Sequence, residues 1–142
     1  MIYFTSDLHF GHKNILKHDN RPFHTIEEMD ETIIERWNKT VANDDVVYVL
    51  GDISWYDEDK TYDIYGGLNG NKILVTGNHD RIRGKVRNCF TSIFDYKRIS
   101  VDETKIIICH YPIHFYDCHY HGAIMLYIIV MRKIWYKNIG KN

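Results

Sequence analysis

Two prolines in 142 residues leave no proline-rich linker, and no glycine-rich, repeated or low-complexity stretch divides the chain either. One domain of ordinary size is therefore expected. Cysteine is scarce and odd in number: Cys89, Cys109 and Cys118 stand far apart without a CxxC pair. That excludes a disulfide-stapled scaffold and predicts a reducing, cytoplasmic setting. Charge of one sign is also lacking, with 18 Lys and Arg against 19 Asp and Glu for a net charge of −1. Such a chain has no general field for nucleic acid or an anionic membrane, so a phosphorylated ligand would need a local holder such as a metal ion. The longest apolar run, Ala123 to Met131, falls short of the ~20 residues that span a bilayer. Met1-Ile-Tyr-Phe-Thr5 lacks a basic region and a cleavage site, so no signal peptide and no membrane partner are expected.

What the chain does have is 44% hydrophobic and 26% charged residues, the balance of a globular domain. Eleven tyrosines and nine histidines supply rings with polar tips, metal ligands and proton carriers. Hydrophobic patterning predicts strands over Ile2 to Thr5, Asp45 to Leu50 and Lys72 to Thr76. Between them, Thr25 to Val41 reads as an amphipathic helix: Thr25 and Glu28 fit a capping box, and Ile26, Met29, Ile33 and Trp37 share a face. A short helix is expected near Asp57 to Tyr65, a hairpin from Ile93 to Val101 and Lys105 to Cys109, and one more strand within Ala123 to Met131. Alternating strands and helices predict a parallel sheet with crossover helices.

The polar residues gather at predicted strand ends. Asp7 and His9 follow the first strand, Asp52 the second, Asn78, His79 and Asp80 the third, and His110 the hairpin. In open α/β sheets the carboxyl ends of strands border the ligand crevice. Asp7-Leu8-His9 places a carboxylate and an imidazole on the same side of an extended segment, a spacing suited to chelating one cation. Asp52 after Gly51 is placed to bridge two cations through its two oxygens, and Gly51 permits a sharp turn or a close approach. In Gly77-Asn78-His79-Asp80, Asn offers a neutral oxygen ligand, His79 a proton, and Asp80 a carboxylate to orient that imidazole. Each motif alone is more often a polar turn or a helix cap; their combination is what carries weight. A mixed carboxylate, amide and imidazole set suits Mn, Fe, Zn or Ni. Two such ions about 3.5–4 Å apart bind a phosphoryl group and generate a hydroxide nucleophile.

With these residues the sequence resembles the calcineurin-like metallophosphoesterase superfamily, particularly its small bacterial and phage members. Asp7-Leu-His9, Gly51-Asp52, Gly77-Asn-His-Asp80 and His110 carry the resemblance, supported by Phe10-Gly11-His12, Met29-Asp30, Trp37-Asn38 and Leu126-Tyr127. It covers roughly residues 1 to 127. The resemblance implies an α/β fold of two packed sheets flanked by helices, with two divalent metal ions at the strand ends. Asp7 and His9 would hold the first metal, Asp52 both, and Asn78 and His110 the second. His79 would act on the phosphate and leaving group with Asp80 orienting it, and His12 would meet substrate near the entrance. The implied activity is metal-dependent hydrolysis of a phosphomonoester or phosphodiester by a hydroxide shared between two metals. The partner would be a phosphorylated small molecule or nucleotide.

One family motif is missing. After Leu126-Tyr127 the resemblance implies Gly-His-x-His, one imidazole for each metal, where this chain has Ile128-Ile129-Val130-Met131. The expectation is a truncated or frame-shifted C-terminal end, with residues 128 to 142 a divergent basic tail. The rival reading is a catalytically impaired or dead remnant with weak metal binding. His119-Tyr120-His121 has the missing spacing but is read as loop near the entrance, as are His114 and Tyr116. Arg81, Arg83, Lys85 and Arg87 leave nucleic acid open as a partner, although the net charge does not point to it.

Overall fold

The computed structural model describes residues 1–128. The first sheet has four parallel strands in the order β1 (Ile2–Thr5), β2 (Val46–Val49), β3 (Asn71–Val75) and β4 (Ser92–Phe94). The second has three, β5 (Tyr96–Val101), β6 (Thr104–Cys109) and β7 (Ile124–Leu126), with β5 antiparallel and β7 parallel to β6. The helices are α1 (Ile15–His18), α2 (Ile26–Thr40) and α3 (Glu58–Gly67).

β2 shows why the fold has layers. Val47 and Val49 point into one core with Leu74 of β3 and the buried faces of α2 and α3, while Tyr48 and Leu50 point into a second core with Val75, Ile106 and Ile108. Both faces of the first sheet are thus covered, one by helices and the other by the second sheet. A slip of one residue in β2 would exchange the two sets, so the two cores fix the register.

α2 starts where the capping box places it: Thr25 accepts the Glu28 N–H at 3.1 Å, although Glu28 reaches back to the His24 N–H at 2.9 Å and not to Thr25. Its stripe Ile26, Met29, Ile33 and Trp37 is buried. The expected single strand from Ile93 to Val101 is instead two: Asp95 separates β4 from β5, and the strands join different sheets. The hairpin turn between β5 and β6 puts Asp102 and Glu103 at φ 47° and 66°, the paired positive angles that match strand twist. The strand expected within Ala123 to Met131 ends at Leu126, and residues 129–142 of the expected tail lie outside the described residues. Among the described residues no helix is long and apolar enough to cross a membrane.

Candidate metal centre

β1 and β2 stay together beyond their ends. Leu50 N–H donates to Thr5 (2.8 Å), Asp7 N–H to Gly51 (3.2 Å), His9 N–H to Asp52 (3.0 Å) and Phe10 N–H to Ile53 (3.2 Å). This irregular ladder lays Asp7 and His9 beside Asp52. The segment is not extended as expected: Asp7, His9 and Asp52 have φ of 53°, 53° and 51°. Asp and His tolerate this left-handed region better than most residues, yet three in one place mark stored strain, a feature that gathers at functional sites. Leu8 and Phe10 turn into the core in compensation.

His9 Nε2 lies 3.3 Å from Asp7 Oδ1 and 3.9 Å from Asp52 Oδ2. One ligand atom from each of these three residues falls within 4.8 Å of the others. Asp7 Oδ2 is buried with no hydrogen-bond partner. A buried carboxylate oxygen without a donor costs stability, and a cation in the group would remove that cost.

The second half of the site is built on two glycines. A Cβ on Gly51 would come within 2.5 Å of Gly77 Cα and 2.7 Å of His110 Nδ1, and one on Gly77 within 2.5 Å of Asp52 Oδ1. Lacking side chains, the turns after β2 and β3 meet beneath the His110 ring. His110 is 2% exposed and its Nδ1 lies 2.8 Å from the Leu50 carbonyl oxygen, a contact that requires an N–H at Nδ1. In the neutral ring Nε2 is then a lone pair. It faces Asn78 Oδ1 at 3.0 Å and Asp52 Oδ2 at 4.0 Å. An imidazole nitrogen, an amide group and a carboxylate oxygen converge here, a donor set that suits a cation. Asp52 presents one oxygen, Oδ2, to both histidines, while Oδ1 accepts the His79 N–H at 3.2 Å.

Asp80 does a different job from the one expected. Its carboxylate accepts backbone N–H groups from Gly77 (2.7 Å), Ile53 (2.8 Å) and Asp52 (3.0 Å) in place of an imidazole N–H. It ties the turn after β2 to the turn after β3. Burial pushes this carboxyl above the ordinary range, and the N–H donors oppose that rise. Asn78 and His79 are exposed at the rim.

Two residues that the sequence reading passed over complete the surroundings. Trp55, three positions after Asp52, stacks on His12 at 4.1 Å and 6°, and its ring lies 4.8 Å from His9 and 4.9 Å from His79. Its signal was a large aromatic close behind Asp52 in a strand-end loop. Burial first, then the neighbouring His9, holds His12 below its ordinary pKa, which favours a neutral ring against the indole. Arg21 donates to the Asp7 carbonyl (2.6 Å) and the Leu8 carbonyl (3.2 Å), clasping the strained turn. No motif marked it.

Other candidates are not gathered here. His119 and His121 are exposed on a short 3₁₀ turn, His119 packing on Tyr116 and Tyr120, and neither joins the ligand group. His114 and Tyr116 line a separate hollow of about 410 Å³ with Met125 and Tyr127. The basic cluster is broken up, since Lys85 Nζ pairs with Asp59 at 2.7 Å.

Residues 1–138 match the family model described as calcineurin-like phosphoesterase. An uncharacterized protein of Methanocaldococcus jannaschii is 36% identical, the match covering 87% of this chain and 66% of that protein. The gene 66 protein of Mycobacterium phage L5 is 32% identical over 78% of this chain and 62% of its own length. A crystal structure of an Aquifex aeolicus protein of unknown function superposes with a TM-score of 0.69 at 36% identity, covering 79% of this chain and 61% of that one. The chain thus spans slightly less than two-thirds of the length of these relatives.

Proposed function

The chain belongs to the calcineurin-like phosphoesterase family, and from that premise we propose that it hydrolyses a phosphomonoester or phosphodiester with two divalent metal ions. The observation that carries this reading is Asp52 Oδ2, 3.9 Å from His9 Nε2 on one side and 4.0 Å from His110 Nε2 on the other. Asp7, His9 and Asp52 would hold one ion, and Asp52, Asn78 and His110 the other. Three protein ligands per ion, one of them shared, leave positions open for water and substrate, as catalytic sites require. The donor set suits Mn, Fe, Zn or Ni. Bound there, the ions supply charge for the phosphoryl oxygens and acidify water.

The chain's own groups do the rest. His110 is held by the Leu50 carbonyl in the tautomer that leaves Nε2 free. Arg21 fixes Asp7 through its backbone, and Asp80 fixes Asp52. His79 stands exposed at the rim, where its imidazole would meet the leaving oxygen of a bound ester. In the reaction a water oxygen would bond to phosphorus and release one proton to solvent, the ester P–O bond would break, and His79 would deliver a proton to the departing alkoxide and recover one from solvent. Trp55 and His12 stack on each other along one flank, next to His9.

The absent Gly-His-x-His favours a second reading, an impaired enzyme that keeps the fold and one weakly held metal. Turnover of p-nitrophenyl phosphate and its bis ester by purified protein with added Mn separates the two. Activity that disappears in Asp7→Ala supports the phosphoesterase. Metal binding without turnover supports the impaired form.

A further inference from the structure

A cleft of about 470 Å³ opens from the Asn78–His79 edge of the site and runs between the start of α3 and the loop after Asp80. Its size is that of a small-molecule site. Trp55 and Tyr56 line one wall, and Trp55 keeps 37% of its surface exposed. Arg81 and Arg83 line the other, both exposed, with no hydrogen bond or ion pair to any described residue. Asp57 and Glu58 are also on the wall, but they are partly engaged: Asp57 accepts the Lys60 N–H at 2.9 Å and Glu58 the Lys85 N–H at 2.9 Å.

From this juxtaposition we infer that the cleft binds the nucleotide remainder of the ester: a nucleoside with a second phosphate on Arg81 and Arg83 and its base against Trp55. Unpaired guanidinium groups offer the planar donor fork that phosphate accepts in pairs. Trp55 is stacked on His12 through one face, and the part of the indole that stays exposed beside the arginines offers an aromatic surface for a base. The free carboxylate oxygens of Asp57 and Glu58 repel a plain polyanion but accept hydrogen bonds from base amino groups, so the mixed signs favour a nucleotide over inorganic polyphosphate. A net charge of −1 and a cleft of this volume suit a nucleoside bisphosphate and not a nucleic-acid polymer. The scissile phosphate would occupy the metal centre. Water attacks its phosphorus, the bond to the ribose oxygen breaks, that oxygen takes the proton, and a mononucleotide remains in the cleft.

This inference rests on the phosphoesterase reading but is tested apart from it. Adenosine 5′-phosphate, adenosine and ribose 5-phosphate are titrated calorimetrically into the full chain without metal. Adenosine 5′-phosphate is expected to bind at least tenfold tighter than either of the others. The double variant R81A/R83A is expected to weaken it at least tenfold and to leave adenosine unchanged, and R81Q/R83Q repeats the result with polarity kept. Equal affinity for adenosine 5′-phosphate and adenosine, or for adenosine 5′-phosphate and ribose 5-phosphate, overturns the assignment. So does nucleotide binding that both double variants retain, or its absence at millimolar concentration. Elemental analysis of the same protein after Mn loading reports on the metal centre separately.

Discussion

At the scale of single residues, the site depends as much on atoms that are missing as on ligands. Gly77 has no Cβ because Asp52 Oδ1 would lie 2.5 Å from it. Gly77→Ala is expected to push Asp52 away from both histidines, lowering metal content and costing about 1–3 kcal/mol, as overpacking does. Gly66, within α3, meets nothing within 4 Å of its would-be Cβ. Gly66→Ala should therefore be neutral or raise stability by up to ~1 kcal/mol through helix propensity. Denaturant melts and elemental analysis of the pair check both expectations. His79 stands at the rim, outside the proposed ligand set. His79→Ala should lower kcat by ~10²–10⁴ with metal content retained. Full activity in that variant would remove His79 from the mechanism.

At the scale of elements, side chains from outside the strands hold the strand-end loops in place. Arg21, beyond α1, clasps the Asp7 and Leu8 carbonyls. Arg21→Ala should weaken Mn binding by ~10–100-fold, the usual loss when a ligand's support is removed, as metal titration would show. On α2, Asp30 accepts the Gly11 N–H at 3.1 Å and the Tyr56 hydroxyl at 2.8 Å, tying the helix to the loops after β1 and β2. Burial, and then the Asp30 carboxylate, push the Tyr56 phenol up to about 12. The fold thus prefers the neutral phenol. Its contribution to stability is complete below the ordinary value of 10 and is lost as pH rises through about 12. An absorbance titration should show Tyr56 ionising late, and Asp30→Asn should move it back toward 10. An unchanged curve would dissolve the proposed link. α2 itself was legible from its cap and its apolar stripe. The role of Asp30 was not, because it depends on where Gly11 and Tyr56 arrive in space.

For the molecule as a whole, the site sits at the seam between two sheets, so metal occupancy and folding are coupled. A ligand bound only by the folded state at 100 times its Kd adds about 2.7 kcal/mol. Mn is therefore expected to raise the melting temperature by several degrees and EDTA to reverse the rise. Asp52→Asn, which alters the one oxygen facing both histidines, should abolish the shift. A shift that survives in that variant would place the bound metal elsewhere.

The sequence alone determined β1, β2, β3 and α2 and the standing of the polar residues at strand ends. The apolar run of β2, the capped stripe of α2 and the polar residues at each strand end follow from local periodicity and turn chemistry, which neighbouring residues settle among themselves. The same local signals placed Asp7, His9, Asp52, Asn78 and His110 at strand ends. Tertiary structure decided how they meet. The break at Asp95 that sends β4 and β5 to different sheets brings His110 over Gly51 and Gly77. The left-handed turns at Asp7, His9 and Asp52 bring those residues to within ligand distance of one another. Arg21, Trp55 and Asp80 acquired their tasks from partners distant in sequence. Such contacts form only after the chain closes on itself, so local pattern does not identify the partners.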